Sequence, residues 1–259
     1  MVEYTFDIKT LEYFLLILVR ISCFVFVAPF FGAKEVPGRV KVGLSVFVTL
    51  LIFNFVPVES SSYDNEIGYA ILVLKEGITG LLIGFAANIC NSIILYAGTI
   101  IDMDIGLSMA MIFDPSTGSQ VSVTGNLYSK FILLMLIVTN MYQFILRALI
   151  DTFSLFPLGG QVFQMDELLV SMVKFCGDLF AIAFRIVLPV FACIMILNVI
   201  LGIMAKVAPQ MNMFAVGIQL KLLVGLAVLL LTVFLLPDIA NFIFNEMKVL
   251  MVSFIEGMY

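Results

Sequence analysis

Six charged side chains interrupt stretches that are otherwise apolar: Arg20, Arg147, Asp151, Asp178, Arg185 and Lys221. A charge at the centre of a membrane-buried helix costs about 2.5–3.5 kcal/mol on insertion scales, so each of them must face protein or water rather than lipid. Two chemistries fit such residues. They can pair or snorkel to hold helices together, or they can relay protons or ions. No compact acidic cluster stands at one depth, which favours assembly, with Arg20, Arg147, Asp178, Arg185 and Lys221 as the assembly charges. Asp178 and Arg185 are seven apart, on one helix face but two turns distant, beyond a direct i,i+4 pair.

Other chemistries are removed by residue type. The chain has no histidine, so imidazole-ligated zinc, Ser-His-Asp triads and Cys-His dyads are unavailable. Cys23, Cys90, Cys176 and Cys193 all lie in apolar runs without C-x-x-C spacing and read as packing residues, with no metal site. There is no G-x-x-x-x-G-K-[ST] loop, and no cofactor is expected. An intramembrane enzyme is poorly supported, because Asp102 and Asp104 lack a carboxylate partner at catalytic spacing. The 13 Lys and Arg are scattered and the net charge is −5, which argues against nucleic acid as a partner.

The elements that carry these residues must be helices in a bilayer. Of 259 residues, 63% are apolar and 12% charged, against about 45–50% and 25% in a soluble domain. No alternating strand pattern appears, so an all-α membrane protein is expected, a single integral-membrane domain over residues 1–259. Apolar runs predict six spans, at 13–31, 42–58, 77–101, 131–150, 175–205 and 214–236, with a weaker seventh run at 239–254. Polar connectors fall between them, including 34–39, 59–65, 102–126, 156–167 and 206–212. Pro29, Pro57, Pro189 and Pro237 bend or end spans. Lys34, Arg39 and Lys41 place the first connector in the cytoplasm and the N-terminus outside. The N-terminal segment lacks a basic region and a clean apolar run, so the first span is expected to be retained.

Two glycine faces suit close helix packing: Gly77, Gly80 and Gly84 at the start of the run 77–101, and Gly217 and Gly225 flanking Lys221. The most unusual stretch runs from Gly106 to Gln120. Gly106 and Gly118 supply hinges, Asp114-Pro115 marks a turn, and Met109, Met111, Ile112 and Phe113 form a deformable apolar patch. It is either a loop packed for stability or a gasket, since apolar constrictions exclude ions by dewetting.

Ordered motifs along nearly the whole chain resemble the FliR family of flagellar biosynthesis proteins. They are Leu18-Val19-Arg20, Ala28-Pro29-Phe30-Phe31-Gly32, Val36-Pro37 with Arg39, Gly106 to Gln120 around Phe113-Asp114-Pro115, Ser154-Leu155-Phe156-Pro157-Leu158-Gly159, and Ala208-Pro209-Gln210-Met211-Asn212-Met213-Phe214-Ala215-Val216-Gly217. The resemblance implies kinked helical hairpins packed in a larger hetero-oligomeric helical assembly, with much of it raised from the membrane plane. It implies a non-enzymatic subunit of the type III protein export gate in the bacterial inner membrane and flagellar basal body. FliP-like and FliQ-like sister subunits, an FlhB-like switch protein and unfolded export substrates are the implied partners. The plug-loop role of that family falls on about 106–122, with Gly106, Met109, Met111, Ile112, Phe113, Asp114, Pro115 and Gly118. A virulence-type export gate and an ion-coupled small-solute transporter are the alternatives.

Overall fold

The computed structural model describes residues 8–33, 36–55, 65–108, 122–210 and 212–259. They form eight α-helices: α1 (Ile8–Val27), α2 (Gly38–Phe53), α3 (Glu66–Ile105), α4 (Val123–Val138), α5 (Met141–Leu155), α6 (Met165–Val207), α7 (Met213–Thr232) and α8 (Leu236–Glu256). A 3-10 turn, Val233–Leu235, joins α7 to α8. No strand occurs among the described residues, and the all-α membrane class expected from composition is the one observed.

The helices divide the apolar runs differently from the six expected spans. Among the described residues four helices are long and apolar enough to cross a membrane, and the broken pair α4 and α5 would add a fifth if taken as one span. The expected span at 42–58 becomes α2, whose 16 residues reach about 24 Å, short of a hydrocarbon core about 30 Å thick. The expected span at 131–150 is broken at Thr139 and Asn140, where Asn140 takes a left-handed φ of 57°. Asparagine tolerates that region because its short side chain can bond locally. The sixth and seventh runs are one helical stretch, Phe214–Glu256. Pro237 sits in the first turn of α8, where a missing N–H costs little, and so does not separate them. Residues 102–105, expected in a connector, belong to α3, and 123–126 to α4.

The chain forms two compact units. The first comprises Met1–Ile89, Thr139–Phe175 and Asn245–Tyr259, and the second Cys90–Val138 and Cys176–Phe244. In the first, Ile17, Ile21 and Phe24 recur at helical spacing on α1 and are fully buried, as are Ile83, Ile145 and Leu149. In a bilayer such side chains hold helices together by close packing rather than by leaving water. The Phe53 ring of α2 meets Tyr13 and Phe14 of α1 edge-on, with centroids 6.2 and 5.8 Å apart. At the other end of that hairpin Lys41 is buried, donating from Nζ to the Gly32 carbonyl at 2.9 Å beside the Phe26 ring. In the second unit Ile93, Ile94, Ala97 and Ile101 of α3 form a buried stripe, and Ala183, Val187, Val190 and Ile194 of α6 form another.

Candidate functional site

Arg20 lies on the buried face of α1, between Ile17 and Ile21 in register, and is wholly inaccessible to solvent. Its Nε donates to Oε2 of Glu76 on α3 at 2.5 Å, and both side chains are fully buried. Taking two charges out of water costs several kcal/mol per ion, which their attraction offsets only when the remaining polar atoms are also bonded. Most of them are. The second carboxylate oxygen of Glu76 accepts from the Gly159 N–H and from Gln161 Nε2, each at 2.8 Å. Arg20 Nη1 donates to Thr152 Oγ1 of α5 at 3.2 Å, and the guanidinium lies 4.2 Å from the Phe153 ring centre and 5.2 Å from that of Phe156.

Lys75 adds a second grip on the same connector, with Nζ reaching the carbonyls of Gly159 and Gln161 at 3.3 and 3.4 Å. Gly159 takes φ 79°, and a Cβ there would lie 2.2 Å from Leu72 Cδ2. One ion pair therefore ties α1, α3, α5 and the turn after α5. A guanidinium held this way fastens the helices around it. Arg20 Nη2 and Gln161 Oε1 are buried without a partner in this cluster.

A second buried carboxylate, Asp102, stands near the C-terminal end of α3 in the other unit. It accepts from Ser122 Oγ at 2.7 Å, from the Thr124 N–H at 3.3 Å and from the Thr124 hydroxyl. Ser122 Oγ in turn accepts from the Gly125 N–H at 2.8 Å, the N-cap bond that starts α4. One helical turn before Asp102, Gly98 packs against Gly125 so tightly that a Cβ would lie 2.1 Å from the Gly125 Cα. Gly106 closes α3 at φ 91°, with its N–H bonded to the Asp102 carbonyl at 3.1 Å.

The other residues singled out in the sequence are dispersed. Arg147 on α5 is exposed, Asp178 on α6 half-buried, Arg185 exposed and Lys221 on α7 half-buried. Arg185 borders a cavity of about 240 Å³ with Tyr128, Pro189, Thr232 and Asp238. Gly80 and Gly84 of α3 abut the α1 backbone at Arg20 and Phe24, while Gly77 faces Val19 and Cys23 at ordinary contact distance. Gly225 sits against Ile105, and Gly217 meets Leu201 at 3.5 Å. Of the predicted plug residues only Gly106 is described. Met109, Met111, Ile112, Phe113, Asp114, Pro115 and Gly118 lie outside the described residues. Glu76, Gln161 and Thr152 were not singled out in the sequence.

Residues 11–247 match the family model described as bacterial export proteins, family 1. The chain belongs to that family. Its relatives include the flagellar biosynthetic protein FliR of Bacillus subtilis (strain 168), 30% identical over 219 residues, covering 84% of each chain. The flagellar biosynthetic protein FliR of Escherichia coli (strain K12) is 27% identical over 239 residues, 92% of this chain and 91% of that one. The FliR of Pectobacterium carotovorum subsp. carotovorum is 27% identical over 228 residues, covering 88% and 87%. Arg20, Glu76, Asp102 and the Gly106 to Gln120 segment all fall within the part of the chain that matches the export family.

Proposed function

We propose that this chain is a non-enzymatic subunit of the flagellar type III protein export gate in the bacterial inner membrane. In this reading it lines, with FliP-like and FliQ-like sister subunits and an FlhB-like switch protein, a passage for unfolded export substrates. The segment from Gly106 to Gln120 plugs that passage, with Met109, Met111, Ile112 and Phe113 as a yielding apolar seal.

Apart from membership of the export family and full-length similarity to FliR proteins, one physical observation carries the reading. The helices α3 and α6 have 40 and 43 residues, about 60 and 65 Å, roughly twice the hydrocarbon thickness. Each holds an 18-residue window apolar enough to cross a bilayer, and so does the stretch Phe214–Glu256, of whose apolar window only 11% is buried by the chain itself. Surface that is too long for lipid and too greasy for water must be covered by other protein. Neighbouring subunits of an assembly supply that cover.

The test is to purify the tagged chain in mild detergent and identify what accompanies it, then to delete residues 108–117 and measure ion leak through membranes holding the assembly. Export-gate subunits should co-purify, and the deletion should leak with assembly intact. A monodisperse chain that is folded and transports small solutes alone in vesicles overturns the proposal.

A further inference from the structure

We propose that the outward face of α5 is a wetted wall of the export passage, in contact with the polypeptide in transit. The inference rests on the gate reading above and deepens it by naming a surface of this chain that the substrate meets. Six side chains of α5 are exposed, and four of them are polar: Gln143, Arg147, Asp151 and Ser154, which recur at helical spacing and so share one face. Ile150 and Leu155 are the other two. The opposite face is apolar and already covered. Met141, Ile145, Ala148, Leu149 and Phe153 are buried, while Thr152 and Phe153 hold the Arg20 guanidinium. Lys248 of α8 extends the polar side, with Nζ 5.4 Å from the ring centre of Phe144.

Lipid does not suit this face. Arg147 and Asp151 would each carry a charge into hydrocarbon, and the 15 residues of α5 reach about 22 Å, short of a core about 30 Å thick. A helix lying in the headgroup layer sinks its apolar face into the acyl chains. The apolar face of α5 is spent inside the chain's own core, so it gains nothing from the bilayer. The same unit shows the contrast. Along α3, Ile67, Ile71, Leu74, Ile78 and Leu81 form an exposed apolar stripe that calls for lipid or a neighbouring subunit. The polar face of α5 calls for water, and within an assembly covered by greasy surface outside, charged side chains turn to a water-filled interior. Arg147 and Asp151 stand one turn apart with opposite charges, so the face holds water without gathering one sign of charge. An unfolded chain of either charge passes it without being trapped.

The experiment places single cysteines in a chain whose Cys23, Cys90, Cys176 and Cys193 are replaced by alanine, and follows labelling by a membrane-impermeant methanethiosulfonate in membranes holding the assembled gate. Gln143→Cys and Ser154→Cys are expected to react several-fold faster than Leu74→Cys on the apolar stripe. A stalled substrate, an exported flagellar subunit fused to a domain that does not unfold, should slow both several-fold and leave Leu74→Cys unchanged. Should the cysteine-free chain fail to assemble, p-benzoylphenylalanine in place of Gln143 or Ser154 in the otherwise native chain takes over, and photolysis is expected to join it to the stalled substrate. Cysteines as slow as Leu74→Cys, labelling that a co-purifying stalled substrate leaves unchanged, or crosslinks to a sister subunit alone overturn the wall and leave the gate reading standing. A substrate that never co-purifies with the assembly overturns both.

Discussion

A Cβ placed on Gly80 would lie 2.1 Å from the carbonyl oxygen of Arg20. The same turn of α1 therefore meets α3 twice, once through backbone at Gly80 and once through the ion pair at Glu76. The two contacts depend on each other. The long reach of an arginine would not need so close a helix approach, but its burial does, because only tight packing excludes water from the pair.

Gly80→Ala is expected to destabilise the first unit by at least about 1–3 kcal/mol, the usual cost of overpacking, since the obstructing atom is backbone and cannot rotate away. Gly177→Ala is the control: nothing lies within 4 Å of its Cβ position, and helix propensity favours the alanine by about 1 kcal/mol. Thermal denaturation midpoints of the detergent-solubilised assembly should fall for the first and hold or rise for the second.

Arg20→Met is expected to cost about 3–5 kcal/mol, because it leaves the Glu76 charge buried and uncompensated. Combining it with Glu76→Gln should recover part of that loss. Glutamine carries no charge and keeps an acceptor for the Gly159 N–H and Gln161 Nε2. A double-mutant cycle on denaturation checks this, and strictly additive losses would contradict a direct coupling.

At Gly159 two obstacles coincide, the left-handed φ of 79° and the Leu72 methyl. Gly159→Ala should cost about 1–3 kcal/mol from backbone strain alone. Adding Leu72→Ala removes the collision but leaves the strain, so the pair should stay less stable than Leu72→Ala by itself. Denaturation of the three variants distinguishes the two contributions.

Met258 is fully buried, and its carbonyl accepts from the Val162 N–H at 3.2 Å while that of Gly257 accepts from Gln164 at 2.9 Å. Met258→Ala should cost about 2–5 kcal/mol. Hydrogen exchange at the Val162 and Gln164 amides should accelerate, more than exchange within α1. Unchanged protection there would show that the last residues do not hold this connector.

Much of the fold was legible because apolar runs and helix length are local properties. Arg20 was also legible, as a charge inside an apolar run. Glu76 was not, since Lys75-Glu76 precedes Gly77 and reads as the polar flank of a span, while its partner is 56 residues away in sequence. Gln161 and Thr152 were hidden for the same reason, lying in or beside a polar connector. The break at Asn140 left little trace, because a single asparagine in the left-handed region ends a helix without the glycine or proline that usually marks it. Pro237 misled in the opposite direction: within a first turn it is tolerated, so the apparent boundary between the last two runs is no boundary. Asp102 passed for the start of a connector because what distinguishes it is the set of donors arriving from Ser122 and Thr124.

Lys41 is one of the three cations that give the first connector its basic character, yet in the folded chain its ammonium is tucked beneath the α1–α2 corner on the Gly32 carbonyl. A cation that looks free to face water in the bare sequence is thus concealed once the chain folds. Substitution there would take away a charge from the connector and, with it, the bond that closes the hairpin.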